Sequence, residues 1–386
     1  MSPGGGVGRS VGMSAALIAG MTLGNVGGNL MPVLLSGYAS RFGLSGAASG
    51  VVAAAQLLSA AAVTLLVARR GGLRGRARTA RGGLAVAAVG LAGAGLAPDL
   101  VVLAAANVLA GAGLGAVFAA SAAGLSATGD ADRASRVTVL GSTVAIAVLL
   151  VVVPAADAGW GTGAGFVVVA ACCVPAYVLV GRLPESSGRS ATEVVPSAGV
   201  PGLPLLGAVA LLLAADQGTW SYAAVFGRDH VRLSSSAVSV VLAVAGICAL
   251  GGIVTGSLAA RRFGRVPAMA GCLALGAVAR VVVVCTGSAA PYVVAVVVWQ
   301  CCYLAVLVLA AAAEIDASGR WAVALSGAVT VGAGLGPPAV GALLDAVGPS
   351  GLGVVLAPAG CVAAVPVLRM ARLCDRAPVA AEVRLP

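Results

Sequence analysis

Along this chain of 386 residues, apolar segments follow one another with almost nothing between them. About twelve can be drawn, each close to the ~20 residues that a helix rising ~1.5 Å per residue needs to cross a ~30 Å hydrocarbon layer. They span 11–36, 47–68, 82–98, 102–124, 136–156 and 161–181, then 203–226, 236–258, 267–287, 290–312, 321–344 and 351–371. Strands are excluded by physics rather than by propensity. In lipid every backbone N–H and C=O must be satisfied within its own segment or in a closed barrel, and unbroken apolar runs do not build barrel strands. So many crossings leave no room for a soluble catalytic domain. The expectation is an all-α membrane protein of twelve transmembrane helices, working inside or across the bilayer.

The charges test that count. Only 9% of residues are charged, and all 23 basic residues are Arg. With the N-terminus inside, the cytoplasmic side receives Arg9, Arg69, Arg70, Arg74, Arg76, Arg78, Arg81, Arg133, Arg136, Arg182 and Arg189. It also receives Arg261, Arg262, Arg265, Arg320, Arg369, Arg372, Arg376 and Arg384. The outside receives Arg41, Arg228 and Arg232, and Arg280 is left inside the ninth segment. Such a bias is what the positive-inside rule demands, and it places both termini in the cytoplasm of a cell-membrane protein. The net charge of +10 therefore faces the lipid interface. Nucleic acid is not an expected partner, since no basic stripe interleaves with aromatic residues.

The longest polar connection, residues 182–202, is rich in Ser, Pro, Gly and charge and divides the segments six and six. It reads as a flexible cytoplasmic linker between a bundle at 1–181 and a second at 203–386 with a short tail. The halves echo each other: the second segment ends in VARRGGLRGRAR and the eighth in GSLAARRFGRV. Two related, pseudo-symmetric six-helix bundles are the expected architecture.

Nine cysteines, two of the pairs adjacent (Cys172/Cys173 and Cys301/Cys302), and the single His230 form no metal-ligand or C-x-x-C spacing, so no metal, cofactor or disulfide framework is expected. The first apolar stretch is too long, and too polar in its middle, for a cleavable signal peptide.

At the end of the eighth segment the chain resembles the major facilitator superfamily of secondary transporters, whose loop motif reads roughly G-x-L-A-D-R-x-G-R. Gly256, Leu258, Arg262, Gly264 and Arg265 match it, whereas the acidic position holds Ala260 or Arg261. In that family the acid helps a conformational latch, so the resemblance implies a latch built differently here. The fourth segment, NVLAGAGLGAV, resembles the family's R-x-x-x-G-x-G, with Asn107 where an Arg associated with proton coupling would stand. A G-x-x-x-G-P-x-x-G-G pattern, associated with exporters, is reduced to Pro154 in segment five. At the pseudo-equivalent segment eleven it returns as Gly332, Gly336, Pro337 and Gly341. The resemblance implies a twelve-helix fold in which segments one, four, seven and ten surround a central cavity.

Polar residues within the bilayer cost at least ~2.5–3.5 kcal/mol when charged, so each calls for a reason. Asp216 falls near the middle of segment seven, beside Gln217, Trp220 and Tyr222. A carboxyl group held out of water can take up and release a proton, which a proton-coupled carrier needs; pairing with Arg280 is the structural alternative. Arg280 itself has three readings: an anion ligand, that partner, or a snorkelling cation. Asn25 and Asn29 share one face of segment one, and Gln56, Asn107, Trp299, Gln300 and Tyr303 complete a lining. Interhelical hydrogen bonding as packing glue is the alternative for each amide taken singly.

The reading is a transporter that moves a small organic solute by alternating access, coupled to protons and directed outward. Uptake of a metabolite, or a receptor or scaffold that transports nothing, are the alternatives. A monomer in the lipid bilayer is the expected state. An intramembrane enzyme is disfavoured, because the sole His lies in a loop and no G-x-S-x-G occurs.

Overall fold

A computed structural model describes residues 4–69, 75–185, 203–314 and 319–376. Among these residues the chain is helix and short turns, with no strand. α1 (Gly4–Asn29) and α2 (Met31–Phe42) together make the first crossing. The second to sixth are α3 (Gly46–Arg69), α4 (Arg76–Leu96), α5 (Leu100–Ser126), α6 (Ala131–Trp160) and α7 (Ala164–Leu179). Of the expected linker, 186–202 lie outside the described residues. The chain resumes with α8 (Leu203–Val225), α9 (Ser235–Phe263), α10 (Arg265–Cys285), α11 (Ala289–Glu314) and α12 (Gly319–Arg376). Gly348, at φ 67° and ψ −176°, divides α12 into arms at 319–347 and 349–376. Eleven described helical stretches are long and apolar enough to cross a membrane. The last of them contains the Gly348 break, which brings the crossings to twelve.

Close helix approach follows from small residues, and it does so in the same pattern in both halves. In the first, Gly111 and Gly115 of α5 lie against the backbone of Gln56 and Ala60 in α3, so closely that a Cβ at either would overlap it. In the second, Gly252 and Gly256 of α9 lie against Cys301 and Ala305 of α11. Both are i, i+4 pairs of the small-residue type that lets membrane helices touch. Gly256, expected to belong to a loop motif, is thus a packing residue within α9. Gly264 does turn the chain between α9 and α10, at φ 89°. Arg262 lies over the Phe263 ring at 5.6 Å, and Arg265 opens α10.

Across the divide α3 packs on α12, α6 on α9, and α2 on α8. Gly50 of α3 meets the Pro337 carbonyl directly, and Gly332 and Gly336 hold the same arm of α12 against α8.

The polar segment after α7 is tied down at its start. Glu185 accepts from the backbone N–H groups of Gly75, Arg76 and Ala77 at 2.8, 3.2 and 3.2 Å, capping α4, and the Arg76 guanidinium donates to the Pro184 carbonyl at 3.0 Å. Partial burial pushes the Glu185 carboxyl up, but those three donors and the adjacent Arg76 charge outweigh it and hold the group below its ordinary range.

Two boundaries differ from the sequence reading. The first crossing runs on to Phe42, leaving only 43–45 as a turn, and the arginines at 76, 78 and 81 sit in the first turns of α4 rather than in a loop. Arg41 explains the first difference. It donates to the carbonyls of Gly95 and Ala97 at 2.8 and 2.7 Å, closing the far end of α4 and anchoring the last turn of α2.

Candidate functional site

The first crossing breaks in the middle because Pro32 has no N–H. The Gly28 carbonyl, which residue 32 would otherwise bond, is left free. The Val33 N–H turns to Leu30 at 3.1 Å, so the Asn29 carbonyl is released as well. Both carbonyls are taken up by α8, from the other half: Gln217 Nε2 donates to Gly28 at 3.2 Å and Trp220 Nε1 to Asn29 at 3.2 Å. A proline in one half thus supplies the acceptors that hold the other.

Beyond this bridge the halves are joined again. The Tyr222 hydroxyl donates to the Gly46 carbonyl at 2.6 Å, and Asp345 accepts from the N–H groups of Gly46 and Ala47 at 2.9 and 2.7 Å. These five hydrogen bonds between the halves all lie at or beyond the level of Gly28.

On the opposite side of the bridge, toward the end carrying Arg69, a cavity of about 280 Å³ opens between α1, α3, α5, α8, α11 and α12. Of the residues expected to line such a chamber, the structure brings together Asn25, Asn29, Gln56, Asp216, Gln217, Trp220, Gln300 and Tyr303. Asn25 and Asn29 donate back along their own helix at 3.0 Å each, to Met21 and Asn25, and so hold fixed orientations in the wall. Thr64, Phe118 and Thr330 also line the chamber and escaped the sequence reading. The spacing of Thr64, two turns from Gln56 on α3, was the available signal.

Four expected residues stand elsewhere. Asn107 does not reach the chamber: it is buried within the first bundle and donates to Leu103 of its own helix at 2.9 Å. Tyr222 belongs to the junction beyond the bridge. Trp299 and Arg280 lie behind Asp216, in a smaller apolar cavity of about 50 Å³. Asp216 stands in the wall between the two cavities. Its Oδ1 accepts from the Arg280 guanidinium at 3.0 Å and from the Trp299 indole at 2.6 Å. Of the two sequence alternatives, pairing with Arg280 is what the geometry shows; in a layer without water a carboxylate and a guanidinium persist only when so matched. Trp299 in turn meets Trp220 edge to face, ring centroids 6.0 Å apart. A continuous chain of contacts therefore runs from Arg280 through Asp216, Trp299 and Trp220 to the Asn29 carbonyl.

Comparison with known proteins places this architecture. A family model for the Major Facilitator Superfamily matches residues 13–320. No curated protein matches the sequence. Among solved structures, a transporter of the POT family in complex with 5-aminolevulinic acid superposes with a TM-score of 0.75 at 10% identity, covering 95% of this chain and 97% of that one. The nucleoside transporter NupG superposes with a TM-score of 0.74 at 13% identity, over 94% and 99%. A bacterial homologue of the human lysosomal transporter Spinster, inward-facing and occupied, gives 0.67 at 17% identity, over 95% and 96%. At these identities the likeness is one of fold.

Proposed function

The chain belongs to the major facilitator superfamily of membrane transporters, and from that premise we propose that it exports a small organic solute across the cell membrane by alternating access, coupled to protons. One observation carries the reading: a polar chamber lies between two helical halves that are hydrogen-bonded to each other on one side of it. The moving bodies are 1–181 and 203–386, with 182–202 between them. The arginine bias sets the open end of the chamber toward the cytoplasm, with both termini there, and the joined end outward. Amides and aromatic faces without an unpaired charge suit a net-neutral solute rich in hydrogen-bonding groups. Outward transport agrees with the Gly336–Pro337 stretch, which meets Gly50 where the halves touch.

Asp216 and Arg280 form the coupling pair. A proton on Asp216 removes the charge around which Arg280 and Trp299 are arranged. The change passes through Trp299 and Trp220 to the Asn29 carbonyl, one of the bonds that hold the outer side shut. Solute and proton thereby act on the same junction.

The test is reconstitution in liposomes with an imposed pH gradient, with a lumenal pH dye reporting proton movement as neutral and zwitterionic solutes are added in turn. Asp216→Asn is expected to lose gradient-driven accumulation while still exchanging solute across the membrane. Accumulation by Asp216→Asn that stays fully pH-driven refutes the coupling role.

A further inference from the structure

Outward of the Trp220–Asn29 bridge lies a second polar chamber of about 200 Å³, between α2 and α6 of the first half and α8 and α9 of the second. On α2 its lining starts at Val33 and continues through Ser36, Gly37 and Ser40, about 6–16 Å beyond Asn29 at ~1.5 Å per residue. The two chambers are therefore in line along the boundary between the halves.

Its walls carry opposite charges. Asp157, at the end of α6, is oriented by the turn that follows: Oδ1 accepts from the N–H groups of Gly163 and Gly165 at 3.0 and 2.8 Å, while Oδ2 lies toward Gly37. Facing it across the divide is Arg228. Its Nε is buried without a hydrogen-bond partner, and the guanidinium makes no ion pair among the described residues. A buried cationic donor left unmatched is costly, and native structures keep few such groups without a reason. Ser36, buried in the same wall, also has no partner for its hydroxyl among the described residues.

The backbone that presents Arg228 departs from regular helix to do so. α8 ends in a π turn over Phe226–His230, closed by Val231 N–H to the Phe226 carbonyl at 3.2 Å, and Arg232 just beyond adopts a left-handed φ of 61°. The Tyr292 hydroxyl braces this turn, donating to the Ala223 carbonyl at 2.7 Å. Wide turns and left-handed non-glycine residues cost energy and concentrate where a side chain must be aimed.

We propose that this outer chamber is a binding site for a small zwitterion, with its carboxylate on Arg228 and its ammonium on Asp157. The two protein charges share the chamber without pairing, and a solute bearing both signs bridges them where an anion or cation alone leaves one unmatched. The volume, about that of six or seven waters at ~30 Å³ each, limits the occupant to a small molecule. Its place as the outward station of a transport path rests on the function proposed above; the binding itself does not.

The full-length protein in lipid nanodiscs tests this with three probes, L-serine, acetate and methylammonium, read by radiolabelled-serine binding and by the shift in melting temperature. Serine is expected to bind and stabilise, the two singly charged probes to do neither at equal concentration. Arg228→Gln, which removes no hydrogen bond the structure contains, weakens serine by about tenfold or more, and Ser36→Ala weakens it less. Gln300→Ala, in the wall of the central chamber and outside the junction, leaves it unchanged. No serine binding, or binding indifferent to Arg228→Gln, overturns the outer site. Binding lost in Gln300→Ala and kept in Arg228→Gln overturns it too, placing the zwitterion in the central chamber and leaving the transport reading intact. Absence of any solute movement or solute-linked proton movement in liposomes, with Arg228-dependent serine binding preserved, refutes transport alone.

Discussion

Asp345→Ala should open the outer side of the protein. Asp345 sits near the end of the first arm of α12 and caps the first turn of α3 in the opposite half, through Gly46 and Ala47 at 2.9 and 2.7 Å. A hydrogen bond to a charged acceptor is worth roughly 1.5–3 kcal/mol, and a carboxylate at a helix N-terminus gains about 0.3–1 kcal/mol from the helix dipole. Both bonds are exposed, so water replaces them when the carboxylate is removed and salt screens what remains. A net loss of about 1–2 kcal/mol follows, which is a factor of roughly 5–30 in the ratio of closed to open outer ends.

The assay is the distance between dyes placed by unnatural amino acids at positions 98 and 287, in the outer turns of the two halves, followed in single molecules. Ser45→Ala is the control. Ser45 caps the same helix from within its own half, its hydroxyl accepting from the Ala48 N–H at 3.3 Å. Loss of that cap lowers the stability of α3 by about 1 kcal/mol without touching the junction. Asp345→Ala should populate a longer outer distance and Ser45→Ala should not. Equal shifts in the two variants, or an unchanged distribution in Asp345→Ala, would mean that the closure does not depend on this contact.

Pro32→Ala restores an N–H that competes with Gln217 for the Gly28 carbonyl; the first crossing should become continuous, seen as added amide protection near Leu30, and the outer side should open more readily in the same distance assay. Gly50→Val places a side chain against the Pro337 carbonyl, so the halves should fail to close outwardly and solute flux should fall to background in liposomes. The Glu185 tether is pH-dependent in a defined direction. Because the folded group sits below its ordinary value of 4.5, the tether contributes fully above that value and is lost as pH falls through the lower, folded one. Hydrogen exchange at Gly75, Arg76 and Ala77, corrected for intrinsic rates, should therefore stay protected at neutral pH and lose protection only in acid, and Glu185→Ala should be unprotected throughout.

The architecture was legible because lipid leaves few choices. Runs of apolar residues near the bilayer length can only be helices, and the arginines then fix which ends share a side. What escaped depends on contacts between residues far apart in sequence. Asp345 lies 298 and 299 residues from the N–H groups it caps, and no local pattern distinguishes it from an ordinary helix-end acid. Asn107 shows the converse. Its helix is apolar all round, so the sequence gives no preferred face, and the family resemblance, which sets segment four beside the central cavity, suggested a lining residue where the structure has a bundle interior. Pro32 was visible and its consequence was not. The proline marks a break, but which donors claim the freed carbonyls is decided by the docking of α8.

That docking sets a scale for how such a protein can switch. Two of the five junction bonds join neutral side chains to backbone carbonyls freed by Pro32, and a third joins Tyr222 to Gly46. Neutral bonds contribute about 0.5–1.5 kcal/mol each. With the Asp345 cap at its net value of about 1–2 kcal/mol, these bonds contribute roughly 2.5–6.5 kcal/mol to the closure. Moving an equilibrium from 1:99 to 99:1 takes about 5.5 kcal/mol of differential binding. In the proposed cycle, such a closure is strong enough to dominate at rest and weak enough for one proton and one small solute to reverse. A junction built instead from several buried ion pairs would have lain beyond that reach. The buried pair of Asp216 with Arg280 stands behind the chamber wall rather than across the divide, where a proton can alter it without having to separate the halves itself.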